Sequence, residues 1–330
     1  MEKVIVAENN KFNIFIRKNI RNIVLLSLII VFYIIFGIIT PGFFQLESFM
    51  NIIRKSAVLF VVSIGMSLVI LTGELDLSLG SNAAFSGAVG TIVALKTGNA
   101  FIAIMSALIT AMAIGFINGL LIGKFKINSI VLTLAMLGIT RSLTKVILNT
   151  TTLKIQNNVF NWLGSYNFIY KNAYIPVSFF FVILFYILFY FILNNAVFGR
   201  NIKALGGNSY AAKAAGVLVE RNKMLVFIIT GAFVGIAAIL TVGRASAASP
   251  FANQGLEFEA ATAVIIGGAS LRGGKVDIIG TFLGVLLLGV IFGGIVILNI
   301  VVHYTEVIKG LLLLLTITIN HLFERYQREY

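Results

Sequence analysis

Long apolar runs separated by short polar breaks set the pattern of this chain. A helix crossing a bilayer needs about 20 apolar residues at about 1.5 Å of rise each. Runs at 23–40, 56–72, 77–95, 101–122, 127–147, 174–195, 224–243 and 278–299 meet or approach that length. Two further runs are weaker. Residues 260–271 are short, uncharged and rich in Gly and Ala, which by length alone suits a re-entrant segment as well as a span. Residues 304–321 carry Glu306 and Lys309 near their start. The pattern predicts an all-α polytopic membrane protein of about ten transmembrane helices, forming one domain over 1–330.

Charge placement orients the spans, because Lys and Arg collect in cytoplasmic loops. With ten spans and both termini inside, Lys3, Lys11, Arg17, Lys18, Arg21, Lys124, Lys126, Arg200, Lys203, Lys213, Arg221, Lys223, Arg272, Lys275, Arg325 and Arg328 are cytoplasmic. That is sixteen of the 25 basic residues. Making 260–271 re-entrant would send Arg272, Lys275, Arg325 and Arg328 outside, so ten spans are preferred. The N-terminus resembles a signal peptide, with Lys11, Arg17, Lys18 and Arg21 ahead of an apolar run. That run is long enough to span and ends in Thr40-Pro41-Gly42 without a small-x-small cleavage site, so it reads as an uncleaved first span. The apolar positions between Phe43 and Ile53 have near-helical spacing and predict a segment lying along the outer interface. The polar stretch 149–172 is the longest outer loop. It holds Trp162, read as an interfacial anchor.

Composition removes several functions. Hydrophobic residues make up 59% of the 330 and charged residues 11%, where a soluble domain carries about a quarter. The net charge of +13 belongs to loop orientation, and no basic stretch is interleaved with the stacking aromatics that nucleic-acid binders use. The chain has no cysteine and two histidines, His303 and His321. Thiolate chemistry is therefore excluded, and most metal sites with it. No cofactor and no catalytic residue is predicted.

Four places could carry function. The stretch Thr72-Gly-Glu-Leu-Asp-Leu-Ser-Leu-Gly-Ser81 sets Glu74, Asp76 and Ser78 between two apolar runs. An ionised Asp at a span's centre costs about 2.5–3.5 kcal/mol. Asp76 therefore either caps the helix that follows or lines a polar path. The loop from Gly199 to Lys223 breaks at Gly206-Gly207, offers Asn208 or Ser209 as a cap, and continues through Ala211, Ala212, Ala214 and Ala215 to a stop at Gly216. Such a short, smooth, capped helix is shaped to dock into another protein's groove, and an ordinary surface helix fits the same residues. Arg141 could pair with Glu257 or Glu259, line a path, or snorkel to the outer interface. Gly267-Gly268 could contact solute. As tight helix contacts they join Gly65, Gly80, Gly87, Gly90, Gly115, Gly119 and the pair 293–294.

The run ending in Gly273-Gly-Lys275 suggests a phosphate loop but fails in register. A Walker pattern would need Gly at 269 and Ser or Thr at 276, where Ala269 and Val276 stand. If ATP drives this protein, the ATPase is another chain.

Three segments resemble the membrane-spanning permease subunits of ATP-binding-cassette importers for simple sugars, of the ribose, xylose and galactose type. They are Thr72–Ser81, Phe198–Gly216 and Glu259–Lys275 continuing through Gly280-Thr281. Leu75 and Leu79 depart conservatively from the Ile and Val usual there, and 149–172 aligns with no motif. The resemblance implies a ten-helix subunit paired with a second permease copy in the bacterial inner membrane. It also implies a cytoplasmic ATP-binding subunit, an extracytoplasmic solute-binding protein, and an inverted repeat of spans 2–5 and 7–10. By the same resemblance, Gly206, Gly207, Asn208, Ala211, Ala212 and Gly216 form the coupling helix that docks the ATPase. Rival readings are an ABC permease for nucleosides, autoinducer-2 or branched-chain amino acids, and an ion-coupled secondary transporter using Asp76 as its coupling acid. A membrane-embedded enzyme is a more distant rival.

Overall fold

The computed structural model describes residues 2–155, 158–170, 173–298, 304, 307–316 and 318, without the side chains of 2–18, 158, 159, 170 and 173. Lys3, Lys11, Arg17 and Lys18 as side chains, and Glu306, His303, His321, Arg325 and Arg328 altogether, lie outside the described residues. The long helices are α1 (Glu2–Ile39), α2 (Leu46–Leu71), α3 (Leu79–Thr97), α4 (Ala100–Gly123) and α5 (Ser129–Ile147). After strand β1 (Leu153–Lys154), α6 (Asn158–Ser165), β2 (Asn167–Tyr170) and β3 (Ala173–Pro176) come α7 (Val177–Asn195), α8 (Val197–Gly207) and α9 (Ser209–Ala214). The chain continues with α10 (Val219–Ala245), β4 (Ala247–Ala248), α11 (Leu256–Ile266), α12 (Ile278–Ile297) and α13 (Val307–Thr316).

Among the described residues seven helices are long and apolar enough to cross a membrane: α2, α4, α5, α7, α10, α12 and Asn19–Ile39 of α1. The run at 77–95 forms the 19-residue α3, made less apolar by Ser81, Asn82, Ser86 and Thr91. The run at 260–271 contributes only the end of the 11-residue α11, because Gly267 and Gly268 stop the helix. Gly268 adopts φ +98, and the bonds Gly268 N–H to Ile265 O (2.8 Å) and Ala269 N–H to Val264 O (3.1 Å) close a left-handed stop.

One expectation is overturned. Residues 46–53 do not lie apart along the interface; they are the first turns of α2, with Ile52 and Ile53 buried. No Gly or Pro separates them from the span, and Arg54 and Lys55 are good helix formers, so the helix runs through.

Helix α2 stands at the centre, packed by α7, α10, α11 and α12, while α10 also lies along α4. The α4–α10 seam is closed by small residues. A Cβ on Gly119 would stand 2.9 Å from Met224 Cα, and one on Gly231 would stand 2.6 Å from Ala111 O. Side chains there would force the helices apart. Outward faces are apolar, as with Leu26 and Ile30 of α1, Ile109 of α4, Val131 and Leu134 of α5, and Leu184 and Phe191 of α7. Water would not tolerate so continuous an apolar girdle; lipid does.

At one end of the bundle β1 pairs antiparallel with β4, and β2 with β3 as a hairpin. A ladder of rings runs Trp162–Tyr166–Phe168–Phe180 at centroid separations of 6.4, 5.8 and 5.8 Å, ending on the outward face of α7.

Candidate functional site

The docking-type helix forms at the other end of the bundle. Gly206 and Gly207 do not break α8; they complete its last turn, and the break falls at Asn208, whose backbone is extended (φ −159, ψ 105). The Asn208 side-chain oxygen accepts from Tyr210 N–H and Ala211 N–H, both at 3.0 Å, capping α9. At the far end Gly216 takes φ +85. Gly216 N–H bonds to Lys213 O (3.0 Å) and Val217 N–H to Ala212 O (3.0 Å), which ends the helix sharply.

The small side chains divide by face. Ala211, Lys213, Ala214, Ala215 and Gly216 are exposed, and Tyr210 is 88% exposed. Ala212 points inward and is 4% exposed, so its methyl group holds α9 against the body and does not face outward. Gly207 is open, with nothing within 4 Å of where a Cβ would stand, whereas a Cβ at Gly206 would overlap the Leu71 carbonyl oxygen. The outward surface therefore includes Gly207, Asn208, Tyr210, Ala211, Lys213, Ala214, Ala215 and Gly216. Tyr210 did not stand out in the sequence, and Ala214 stood out only as a helix former. Tyr210 and Ala214 stand four residues apart, which puts them on one face of a helix.

The connector between α2 and α3 sits at the same end. Glu74 is ion-paired with Lys223 at the start of α10. Asp76 is 3% exposed. Its carboxylate accepts from Ser78 N–H (2.8 Å) and Ser78 Oγ (2.6 Å), fastening the first turn of α3. Burial raises the Asp76 carboxyl pKa, and the Ser78 bonds oppose that rise. Asn118 of α4 donates to Ser78 Oγ at 3.0 Å.

From this point a buried polar seam rises between α3, α4 and α5. Leu75 N–H bonds to Ser129 Oγ (3.3 Å) and Leu77 N–H to Thr133 Oγ1 (3.0 Å). Higher up, Thr140 donates to Ser81 Oγ (2.7 Å), Asn82 to Ala111 O (3.2 Å), and Ser86 to Asn82 Oδ1 (2.9 Å). Sequence reasoning missed this seam. The signal was present on 127–147, where Ser129, Thr133, Thr140 and Thr144 recur at helical spacing and are the buried residues of α5.

The remaining predicted residues are apart from it. Arg141 donates to the carbonyls of Pro250 (3.0 Å) and Ala252 (2.7 Å), tying α5 to the turn before α11 at the opposite end. Glu259, one of its expected partners, pairs with Lys309 at 2.7 Å. Gly267 abuts the backbone of Gly280 and Thr281, where a Cβ would stand 2.5 Å from Gly280 C. Gly268 O accepts from Arg21 Nη1 (3.1 Å), and Arg21 also reaches Asp277, the cap of α12. This pair thus fastens α11 to α12 and α1. Among the described residues no three His, Asp or Glu side chains gather as a metal site requires. The arrangement holds helices together, and among the described residues nothing in it combines a nucleophile with a base.

A bundle of helices long and apolar enough to cross a membrane, with a buried polar seam, is a membrane protein by its fold, and its relatives give the class as a transport subunit. The family model described as "Branched-chain amino acid transport system / permease component" matches residues 48–317, and the chain belongs to that family. Among its relatives is the ribose import permease protein RbsC of Escherichia coli (strain K12), 32% identical over 301 residues, covering 90% of this chain and 92% of the relative. The L-arabinose ABC transporter permease protein AraH of Azospirillum brasilense is 32% identical, covering 92% and 88%. RbsC of Bacillus subtilis (strain 168) is 32% identical, covering 87% and 88%. No solved structure matches the chain.

Proposed function

We propose that this chain forms the translocation path for a monosaccharide such as ribose, as one of two permease subunits in an ATP-binding-cassette importer. The observation that carries the reading is likeness along nearly the whole chain to permeases named for ribose and arabinose import. The chain is a transport subunit of the bacterial inner membrane and not an enzyme; ATP is hydrolysed by a separate subunit. A cytoplasmic ATP-binding subunit and an extracytoplasmic solute-binding protein are its partners.

In the finer reading both termini are cytoplasmic. Ten spans result when α3, the segment of α11 and the segment of α13 join the seven long helices. The charge asymmetry supports this, since Arg21, Lys124, Lys126, Arg200, Lys223, Arg272 and Lys275 all fall at the α9 end. An inverted repeat of spans 2–5 and 7–10 is supported by α2 and α10, which lead the two halves and pack together at the centre. The outward face of α9 docks the ATPase. Asp76 and Ser78 hold the helix entry, and the solute path is weakly binding because delivery by a receptor relieves it of high affinity. The description of the family as a branched-chain amino acid system supports one other cargo.

Uptake of labelled ribose by cells carrying the complete importer tests the class. Uptake should collapse on ATP depletion and survive a protonophore while ATP is maintained. The opposite pattern would indicate an ion-coupled carrier.

A further inference from the structure

The loop that carries α9 meets the connector between α2 and α3 on both of its flanks. On its leading flank, Gly206 at the end of α8 packs backbone to backbone against Leu71, the last residue of α2. The same carbonyl, Leu71 O, accepts from Gly274 N–H at 2.9 Å. A Cβ on Gly273 would stand 2.8 Å from both Gly206 O and Gly73 N, and one on Gly73 would stand 3.2 Å from Arg272 O. Gly73, Gly273 and Gly274 take φ of +79, +89 and +76, which side chains resist. The last turn of α8 and the turns following α2 and α11 therefore meet backbone to backbone. On its trailing flank, Lys223 grips Glu74. Two residues past Glu74 the chain reaches Asp76 and the seam it shares with Ser78 and Asn118.

We propose that this two-point grip, the joint of Gly73, Gly206, Gly273 and Gly274 together with the Lys223–Glu74 pair, passes displacement of the α9 loop into the α2–α3 connector and the seam behind it. The proposal rests on the reading of α9 as the ATPase dock. These residues are positioning residues: they touch neither ATP nor solute. A joint of bare backbone has no rotamers to absorb motion. A shift of the loop must move Leu71 and Gly274 together, and the ion pair prevents the connector from rotating away. Packed elements without slack transmit such shifts, whereas a side-chain cushion would dissipate them.

The test uses the assembled importer in lipid nanodiscs or proteoliposomes, with bound ATPase, hydrolysis and solute moved per ATP measured together. Gly206→Val and Lys223→Met should keep the ATPase bound and basal hydrolysis near wild type, while solute moved per ATP falls about tenfold. Ala204→Val, on an exposed position of α8, should change none of the three. An intact complex of either variant moving solute per ATP as wild type does overturns the proposal. If Gly206→Val does not assemble, Gly206→Ala and Gly73→Ala replace it. Failure of all the glycine variants to assemble makes the joint a folding element only and also overturns the proposal. The docking reading fails separately, if Ala211→Trp retains full ATPase association.

Discussion

Helices α2 and α5 are both apolar enough to span, yet 89% of the apolar stretch of α2 is buried against 17% of that of α5. In α2 aliphatic and aromatic side chains pack on every side. Phe60 is fully buried between Phe282 and Tyr186, at ring centroids 4.8 and 5.9 Å away. In α5 the order is reversed. Ser129, Thr133, Thr140 and Thr144 are buried, and Ile130, Val131, Leu134, Ile139, Leu143 and Val146 face out. In water such a helix would be inside out. In hydrocarbon, aliphatic surface gains nothing by leaving lipid, while a hydroxyl gains a hydrogen bond by leaving it. Burial in this protein therefore reports where a helix stands and how its polar groups are satisfied. It does not report how apolar the helix is.

Three substitutions test that contrast. Phe60→Ala should have the largest effect, about 3–5 kcal/mol of stability lost through the cavity left in the α2 core. Unfolding of the purified chain by denaturant in mixed micelles measures it, and a loss below about 1 kcal/mol would deny α2 its central place. Thr133→Val keeps the shape but strips Leu77 N–H of its acceptor, and should cost about 1–2 kcal/mol by the same measurement. Val131→Leu, on the 65% exposed face of α5, should stay within about 0.5 kcal/mol in a lone chain. If the substitution is costly only in the assembled importer, a second permease copy rather than lipid covers that face.

Much of the bundle was legible because a span needs little more than length and hydropathy. The runs at 101–122, 127–147, 174–195, 224–243 and 278–299 lie on α4, α5, α7, α10 and α12 to within a few residues. The cap at Asn208 and the stop at Gly216 were equally readable, because capping is local chemistry. What escaped was set by tertiary contact. Gly206 looks like a loop glycine until Leu71 is placed against it. Ala212 and Ala211 are indistinguishable in sequence and face opposite ways. Arg141 had two acids as expected partners; it donates to the carbonyls of Pro250 and Ala252, and Glu257 acts on it through its charge. The long loop at 149–172 hid β1, whose partner β4 is far along the chain, and α6 and β2, which are too short to show a period.

Proteoliposomes containing the chain alone, or the chain with its ATP-binding subunit and solute-binding protein, separate a dependent transport subunit from a self-sufficient carrier. Ribose should accumulate against its gradient only with all the components and ATP present, and the chain alone should accumulate none under any ion gradient. Uphill accumulation by the chain alone, driven by a proton or sodium gradient, would contradict the account.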